Sequence, residues 1–528
     1  MIKNRLKHTW SIFFSQFFRL TPVQKAAIPP ILEGKNVIVC SPTASGKTEA
    51  VVAPLIERLI EQFKIEEGGN LSLLYLAPTR ALLNNLYERL KMPLKKCGLN
   101  ALLRTGDKSY LPKKSFQVLF TTPESLDSLL CRRQSLWKNI KAIVIDEIHF
   151  LDHTYRGDQL RILIHRLLKE HLPFPPQFVA LSATLSNPER VAKRYFDPVE
   201  IVEVGEPRPL KFYLSQDWAE IISSLKKNKW HKAIIFCNRR RDVENLYLTL
   251  SRYWPKDRIL IHHGSLSRRL REETEALLRR WHWGLCISTS TLEIGIDIGD
   301  FDVAICYHLP PTPSAFQQRI GRASRWQEFL VAIGFYEDET EANCFKLYAS
   351  LARQGTVEEI PYTPDLSVIV QQTFSLLFAH PSGLKKEFLF ELLSPLASKD
   401  TIEEILTHLL ETNWIEERGK KLFASEKLMN LGEKGLIHSN IPNEQEFKVI
   451  EMGSNRHLGE ITAPASPGSC FVLGGKIWEI VRVRKQTLTV RLVTGVPTIS
   501  SFRCRFSRGA FTHLLPPHLT NPQKFPNN

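Results

Sequence analysis

The 528-residue chain contains no C-x-x-C pair. Its nine cysteines stand far apart, at 40, 97, 131, 237, 286, 306, 344, 470 and 504. That spacing argues against zinc ribbons and iron–sulfur clusters and offers no disulfide framework. Several lie in apolar runs, as Cys237 does in "AIIFC", where a small buried hydrophobe is the simpler role. No apolar run reaches about 18 residues, so no membrane span is expected. The aromatic stretch in "MIKNRLKHTWSIFFSQFFRL" is broken by Gln16 and lacks an A-x-A cleavage site, so it is not read as a signal peptide. A reducing cytoplasm is the expected setting. Acidic residues are in the minority, 55 against 70 Lys and Arg, for a formal net charge of +15. The excess favours a polyanionic partner, nucleic acid first, with a solvated cationic surface as the bland alternative.

A glycine is missing as well. The phosphate-loop pattern G-x-x-x-x-G-K-[ST] would begin at position 41 of "NVIVCSPTASGKTEAV", where Ser41 stands instead. Gly46, Lys47 and Thr48 match, between a β-like run and a helical pattern. Loop residues Thr43, Ser45 and Gly46 precede a helix start whose N–H groups and dipole favour phosphate. Lys47 would neutralise the β/γ-phosphates, and the Thr48 hydroxyl would reach Mg²⁺. Read alone, the segment could equally be an ordinary strand–turn–helix junction.

About a hundred residues on, "AIVIDEIHFL" sets Asp146 and Glu147 at the end of an apolar strand. Two adjacent acids there make little structural sense, because desolvation penalises them. Asp146 would hold Mg²⁺ through water. Glu147 would orient and polarise the attacking water, since phosphoryl transfer needs positioning more than covalent help. The competing reading is a helix N-cap acid.

With these residues in place, "SPTASGKT", "DEIH" and "LSAT" (181–184) resemble motifs I, II and III of a superfamily 2 helicase. In such proteins a small residue commonly replaces the first P-loop glycine. Ala44 also replaces a glycine that many members carry, which matters only if that position needs φ > 0. "STSTLEIGIDIGD" resembles motif V, and "QQRIGRASR" resembles motif VI. The resemblance implies catalytic roles for Gln318, Arg322 and Arg325, the arginines reaching across a cleft to the transferring phosphoryl group. Three residues apart on an expected helix, Arg322 and Arg325 would point the same way. Ser324 stands where glycine is usual, and little harm is expected. "LTPVQ" resembles the Q motif, making Gln24 an adenine reader. Gly295 and Asp297 in "GID" resemble nucleotide-side residues. "APTRALLNN", "TTPESL" and "IIFCNRRRD" resemble motifs Ia, Ib and IV. They and motif V imply nucleic-acid contacts from Arg80, Thr122, Asn238 and Thr289, mainly to phosphate. His149, Ser182 and Thr184 lie where nucleotide state would be reported to the nucleic-acid face.

Apolar runs alternate with helical patterns through the first 200 residues, restart near 205 and end near 360, which predicts two parallel sheets covered on both faces. The expected fold is α/β: a RecA-like domain over 1–205, a second over 206–359, a winged helix over 360–440 and a small β-rich domain over 441–515. A loose Pro/Asn-rich tail would follow at 516–528. From 441 onward there are 11 Lys or Arg against 5 Asp or Glu. On strands, Arg482 and Arg484 would share a face, as would Arg503 and Arg505. A basic strand surface beside Trp478 could hold single strands, although Trp478 could equally be core. "RWHWG" (280–284) raises the same choice, with packing the simpler answer.

The run "STSTLEIGIDIGDFDVAICYHLPPTPSAFQQRIGRASR", with "EEIPYTPDLSVIVQQ" and "GSCFVLGGKIWEIVRV", is similar to the large helicase-related (Lhr) family. The likeness covers most of residues 20–500, in a chain shorter than typical Lhr cores. It implies a monomeric, ATP- and Mg²⁺-dependent motor moving 3′→5′ on single-stranded DNA, opening DNA or DNA–RNA duplexes in repair. An RNA helicase or a hydrolysis-deficient scaffold are the alternatives. Nothing in the residues names a nuclease or ligase companion.

Overall fold

The structure, a computed structural model, describes residues 2–42, 45–64, 69–106, 115–183, 185–205, 207–293, 299–324, 328–358, 362–442, 447–454, 456–461, 467–468, 470–473, 476–484, 487–493 and 509–520. The chain forms two compact units. One comprises residues 1–205, 359–442 and 506–528; the other comprises 206–358 and 443–505.

The first unit is built on seven strands: β1 (Val37–Cys40), β2 (Leu73–Leu76), β3 (Ala101–Arg104), β4 (Val118–Thr121), β5 (Ala142–Ile145), β6 (Gln177–Ser182) and β7 (Glu200–Glu203). They lie in the order β3-β4-β2-β5-β6-β1-β7, and every pairing is parallel. Strands β1, β2, β4, β5 and β6 are buried at every position. That explains their continuous apolar composition: a parallel sheet with both faces covered has no face left for polar residues.

The second unit carries β8 (Leu210–Ser215), β9 (Lys232–Cys237), β10 (Ile259–His262), β11 (Gly284–Ser288), β12 (Val303–Tyr307) and β13 (Leu330–Phe335). Their order is β10-β11-β9-β12-β13-β8, again all parallel. Both sheets are of the RecA-like kind expected.

Three helices, Ser367–Ala379, Lys386–Leu393 and Lys399–Glu411, follow in the first unit. With β14 (Leu384–Lys385), β15 (Ile415–Arg418) and β16 (Lys421–Ala424) in an antiparallel sheet, they give the helices-plus-hairpin outline of a winged helix. The helix Ser367–Ala379 is buried on nearly all sides, as a helix at the centre of a large core must be. Its buried polar residues face a carboxylate. Asp127 accepts bonds from Arg166 at 3.1 Å, Ser375 at 2.5 Å and Gln371 at 2.9 Å, with the His438 imidazole at 3.4 Å. Residues 509–520 belong to this unit too, with the Phe511 ring edge-on to Phe374 at 5.6 Å and Leu519 packed on the same core.

The β-rich segment forms β17 (Phe447–Glu451), β18 (His457–Ile461), β19 (Cys470–Leu473), β20 (Lys476–Arg484) and β21 (Thr487–Leu492). The sheet runs β18-β17-β21-β20-β19 and packs on the second parallel sheet's domain. Val449, Phe471, Leu488 and Val490 share one core with Val243, Leu246 and Leu250 of the helix Arg240–Leu250. A bulge in β20 decides which residues enter it. Ile480 faces Val490 while Arg482 faces Thr489, so Val481 is the extra residue. Trp478 and Ile480 are buried before the bulge, and after it Val483 packs inward while Arg482 and Arg484 stay exposed. A straight strand would have driven both arginines into the core. Trp478 is therefore core and not a stacking platform: it is 3% exposed and its indole N–H donates to Leu473 at 2.9 Å. Arg503 and Arg505 lie outside the described residues. No helix among the described residues is long and apolar enough to cross a membrane.

Candidate functional site

In the first unit the motif residues gather at the C-terminal ends of adjacent strands. In sheet order, Thr122 follows β4, Arg80 lies beyond β2, Asp146 and Glu147 follow β5, Ser182 ends β6, and Ser41 follows β1. Open α/β sheets place ligands at this edge.

The helix Lys47–Glu61 starts from Gly46, whose φ of +86° only glycine adopts freely. A Cβ there would lie 2.6 Å from the Gln24 amide nitrogen. Gln24 is buried and closes a capping box: its oxygen accepts from the Thr21 N–H at 3.0 Å, and its amide donates to the Gly46 carbonyl at 3.5 Å. The sequence-predicted adenine reader is thus locked against the phosphate loop. Ser41 is not among the left-handed residues, so serine costs nothing where glycine is usual. Its carbonyl also has work, accepting from the Lys47 ammonium at 2.6 Å while the Ser182 carbonyl accepts at 2.8 Å. Lys47 is only 8% exposed and ties the ends of β1 and β6 together. Thr43, Ala44 and Thr184 lie outside the described residues.

Asp146 is buried, accepts from the Tyr75 hydroxyl at 2.7 Å and from the Glu147 N–H at 2.9 Å. Burial, then the Glu147 charge, pushes its carboxyl up to about 7. Glu147 holds a left-handed φ of +46°, the kind of local strain that persists where surrounding structure enforces it. His149 spans the acids and the third motif: its Nδ1 sits 2.9 Å from the Ser182 hydroxyl and 3.5 Å from a Glu147 oxygen.

These residues fit a nucleoside triphosphate and a hard divalent cation. The Ser45 hydroxyl is buried with no hydrogen-bond partner, an acceptor-hungry donor in a cationic loop beside a helix N-terminus. A buried carboxylate and the half-buried Thr48 hydroxyl are the oxygen donors Mg²⁺ prefers.

The nucleic-acid candidates divide. Arg80 is exposed at the first turn of the helix Arg80–Lys96, its guanidinium close against Gly106. Thr122 is buried and caps the helix Pro123–Arg132, accepting from the Ser125 N–H at 3.4 Å. In the second unit Thr289 is half-buried after β11, 3.4 Å from the Thr291 hydroxyl. Asn238 follows β9, donates to the Leu309 carbonyl at 2.8 Å and accepts from Arg319 at 2.8 Å.

Arg319 and Glu293, which the sequence did not single out, tie the second unit's motif segments together. Arg319 bonds the Glu293 carboxylate at 2.6 Å, and Arg322 bonds the Glu293 carbonyl at 3.1 Å. One residue of the "TLE" run thereby holds both arginines of the "QRIGR" segment. The motif spacing was the available signal, since Arg319 sits in the same run as Gln318, which is buried on the helix Pro313–Ile320. The expected helix through Arg322 is corrected. It stops at Ile320, because Ala323 pairs with Phe301 and Ser324 turns left-handed at φ +54°. Ser324 donates N–H to the Phe301 carbonyl at 2.6 Å and its hydroxyl to the Asp302 carbonyl at 2.7 Å. Arg325, Gly295 and Asp297 lie outside the described residues.

Residues 21–191 match the family model of DEAD/DEAH box helicases, and 216–327 match the helicase conserved C-terminal domain. The chain is similar to the ATP-dependent helicase Lhr-Core of Methanocaldococcus jannaschii, 30% identical, covering 91% of this chain and 62% of the relative. The Sulfolobus acidocaldarius Lhr-Core is 28% identical over 93% of this chain and 62% of its own length. The chain thus spans a little under two thirds of the curated relatives it resembles. Among solved structures, Mycobacterium smegmatis helicase Lhr bound to ssDNA and AMP-PNP aligns with a TM-score of 0.71 at 24% identity, covering 83% of this chain and 62% of that one. The DUF1998 helicase MrfA bound to DNA and AMPPNP aligns at 0.73 and 21% identity, covering 93% and 72%.

Proposed function

We propose that this chain, which belongs to the DEAD/DEAH box helicases and resembles their Lhr-Core members, is a nucleic-acid-dependent ATPase that moves along single-stranded DNA. The observation that carries the reading is the edge of the first sheet. There Lys47, Asp146, Glu147, His149 and Ser182 stand together beside the unpartnered Ser45 hydroxyl.

In this reading the loop 41–48 binds the triphosphate and Gln24 reads the base. Thr48 and Asp146 would hold Mg²⁺, which when bound neutralises phosphate charge. Glu147 orients water for in-line attack, and Arg322 and Arg325 stabilise the charge that develops. His149, Ser182 and Thr184 relay nucleotide state. Arg80, Thr122, Asn238 and Thr289 grip the strand; Thr122, whose hydroxyl caps a helix, serves through the N–H groups it orients. DNA as the track is supported by what the Lhr and MrfA relatives were captured with. The 3′→5′ direction, action on DNA–RNA hybrids, a role in repair and a monomeric state come from the Lhr resemblance. Residues 1–205 and 206–359 are the motor domains, with 360–440 and the strand-rich part of 441–515 as accessory domains, residues 509–515 packing instead with the first unit.

The test is ATP turnover with single-stranded DNA, RNA or neither. Single-stranded DNA should stimulate hydrolysis, and Lys47→Ala or Glu147→Gln should remove it, by at least about 100-fold for loss of a preorganised charge-stabilising group. Equal or greater stimulation by RNA makes the protein an RNA remodeller. Binding without hydrolysis in any condition makes it a scaffold.

A further inference from the structure

One feature of the second unit lies far from its motif edge. Trp254, Arg258, Trp281 and Trp283 meet at the N-terminal ends of β10 and β11, whereas Thr289 follows the C-terminal end of β11. The Arg258 guanidinium lies over the Trp283 ring at 4.5 Å and the Trp281 ring at 5.4 Å. Trp254 and Trp283 approach to 6.4 Å. Packing explains Trp281, whose ring a Cβ on Gly284 would strike at 2.7 Å. It does not explain Trp283, 40% exposed, or Tyr253, 43% exposed.

The charge around these rings is one-sided. Lys256 and Arg280 are exposed and form no ion pair with any described residue. The acid beside Arg258 is Asp257, 78% exposed at 3.6 Å, which screens little. Exposed aromatic faces set among unpaired cations match the chemistry of single-stranded nucleic acid: phosphates meet the cations and bases stack on the rings. A polyanion also complements a chain of net charge +15. A protein partner would need an acidic surface, and would leave the flat, solvent-facing indole no better satisfied than a base does.

We propose that this face is a second single-stranded DNA site, which holds a segment of strand beyond the one gripped at the motif edge. It rests on the DNA-motor reading above. Trp283 and Tyr253 stack bases, Arg258 props the Trp283 ring, and Lys256 and Arg280 take phosphates. The site is indifferent to sequence, because every base has a stacking face. Its consequence is retention of the displaced or trailing strand while the motor steps.

The test uses the full chain and a long oligothymidylate. Trp283→Ala should weaken binding about tenfold, and Trp283→Phe, which keeps a stacking face, should recover most of it. Replacing Lys256 and Arg280 by Glu should lower the slope of log affinity against log salt by about 1.4, at about 0.7 per phosphate contact on single strands. Photocrosslinking with 5-iodouracil strands should label a peptide containing Trp281 and Trp283. Unchanged affinity in Trp283→Ala together with labelling only elsewhere overturns the proposal, and a protein partner captured at this face with no DNA effect does the same. Loss of DNA-stimulated hydrolysis in the unaltered protein would instead sink the motor reading, so the two failures are distinguishable.

Discussion

Of the seven described non-glycine residues that hold a left-handed φ, two stand in the motif segments. Glu147, at φ +46°, sits in the acid pair; Ser324, at φ +54°, ends the "QRIGR" segment. Ser324 stands where glycine is usual, and its hydroxyl bond to the Asp302 carbonyl offsets the strain. Ser324→Gly should therefore change stability by no more than about 0.5 kcal/mol, trading relief of strain against one hydrogen bond. Ser324→Ala keeps the strain and loses the bond, so it should cost about 1 kcal/mol. Chemical denaturation of the two variants checks the order, which a merely tolerant position would not produce. Where His149 meets the Ser182 hydroxyl, the proposed relay predicts that Ser182→Ala leaves nucleotide binding intact and cuts the stimulation of hydrolysis by DNA, read as the ratio of rates with and without strand. At this scale the sequence was legible where residue pattern marks a place in the fold: Lys47 opens a helix after β1, Asp146 follows β5, and Gln24 lies against Gly46. It was illegible where backbone conformation decided, as at Ser41 and Ser324, because φ is not written in residue identity.

Elements tell a similar story. The inner strands of both parallel sheets could be read as unbroken apolar runs, since double burial leaves no alternation, whereas the outer strands β3, β7 and β8, partly exposed, carry no such run. The bulge at Val481 could not be read, and it lets Arg482 and Arg484 stay in solvent on a strand that buries Trp478 and Ile480. The helix presumed to carry Arg322 ended early, because pairing of Ala323 with Phe301 outcompetes one more helical turn. Nor did the sequence announce the polar contact that fastens the winged helix to the first sheet domain. Arg166 is 1% exposed and bonds Asp127, Gln372 and Ser375. Arg166→Met strands the Asp127 carboxylate and should cost about 3–5 kcal/mol in denaturation experiments, the scale for breaking a buried pair. Burial works against the His438 imidazolium, yet Asp127 and Cys131 push it up to about 9, from an ordinary value near 6.5. A raised folded-state value stabilises fully below the unfolded value and is lost as pH rises through the folded one. Asp127 is held below the usual carboxylate range despite its burial, so it stays ionised, and Arg166 stays charged, throughout. The denaturation midpoint should accordingly fall between about pH 7 and pH 9.5, and His438→Gln should flatten that fall.

Across the whole molecule, motifs scattered along the chain gather in space along two sheet edges, in an order set by the strand crossovers and not by the sequence. Thr122, Arg80, the Asp146–Glu147 pair, Ser182 and the phosphate loop follow consecutive strands of one sheet, and Thr289 and Asn238 follow neighbouring strands of the other. That gathering is why a loop lacking its first glycine still stands where open α/β sheets place ligands: parallel strands deliver their C-terminal ends to one edge whatever the loops contain. The sequence did not show that the β-rich segment shares a core with the second sheet domain, because such packing depends on surfaces from distant stretches of chain. The most direct measurement is strand displacement from a duplex carrying a 3′ single-stranded DNA tail, followed with and without ATP. The account predicts ATP-dependent displacement that disappears in Glu147→Gln. Displacement that persists in that variant, or none in the unaltered protein under conditions where it binds the tail, would contradict it.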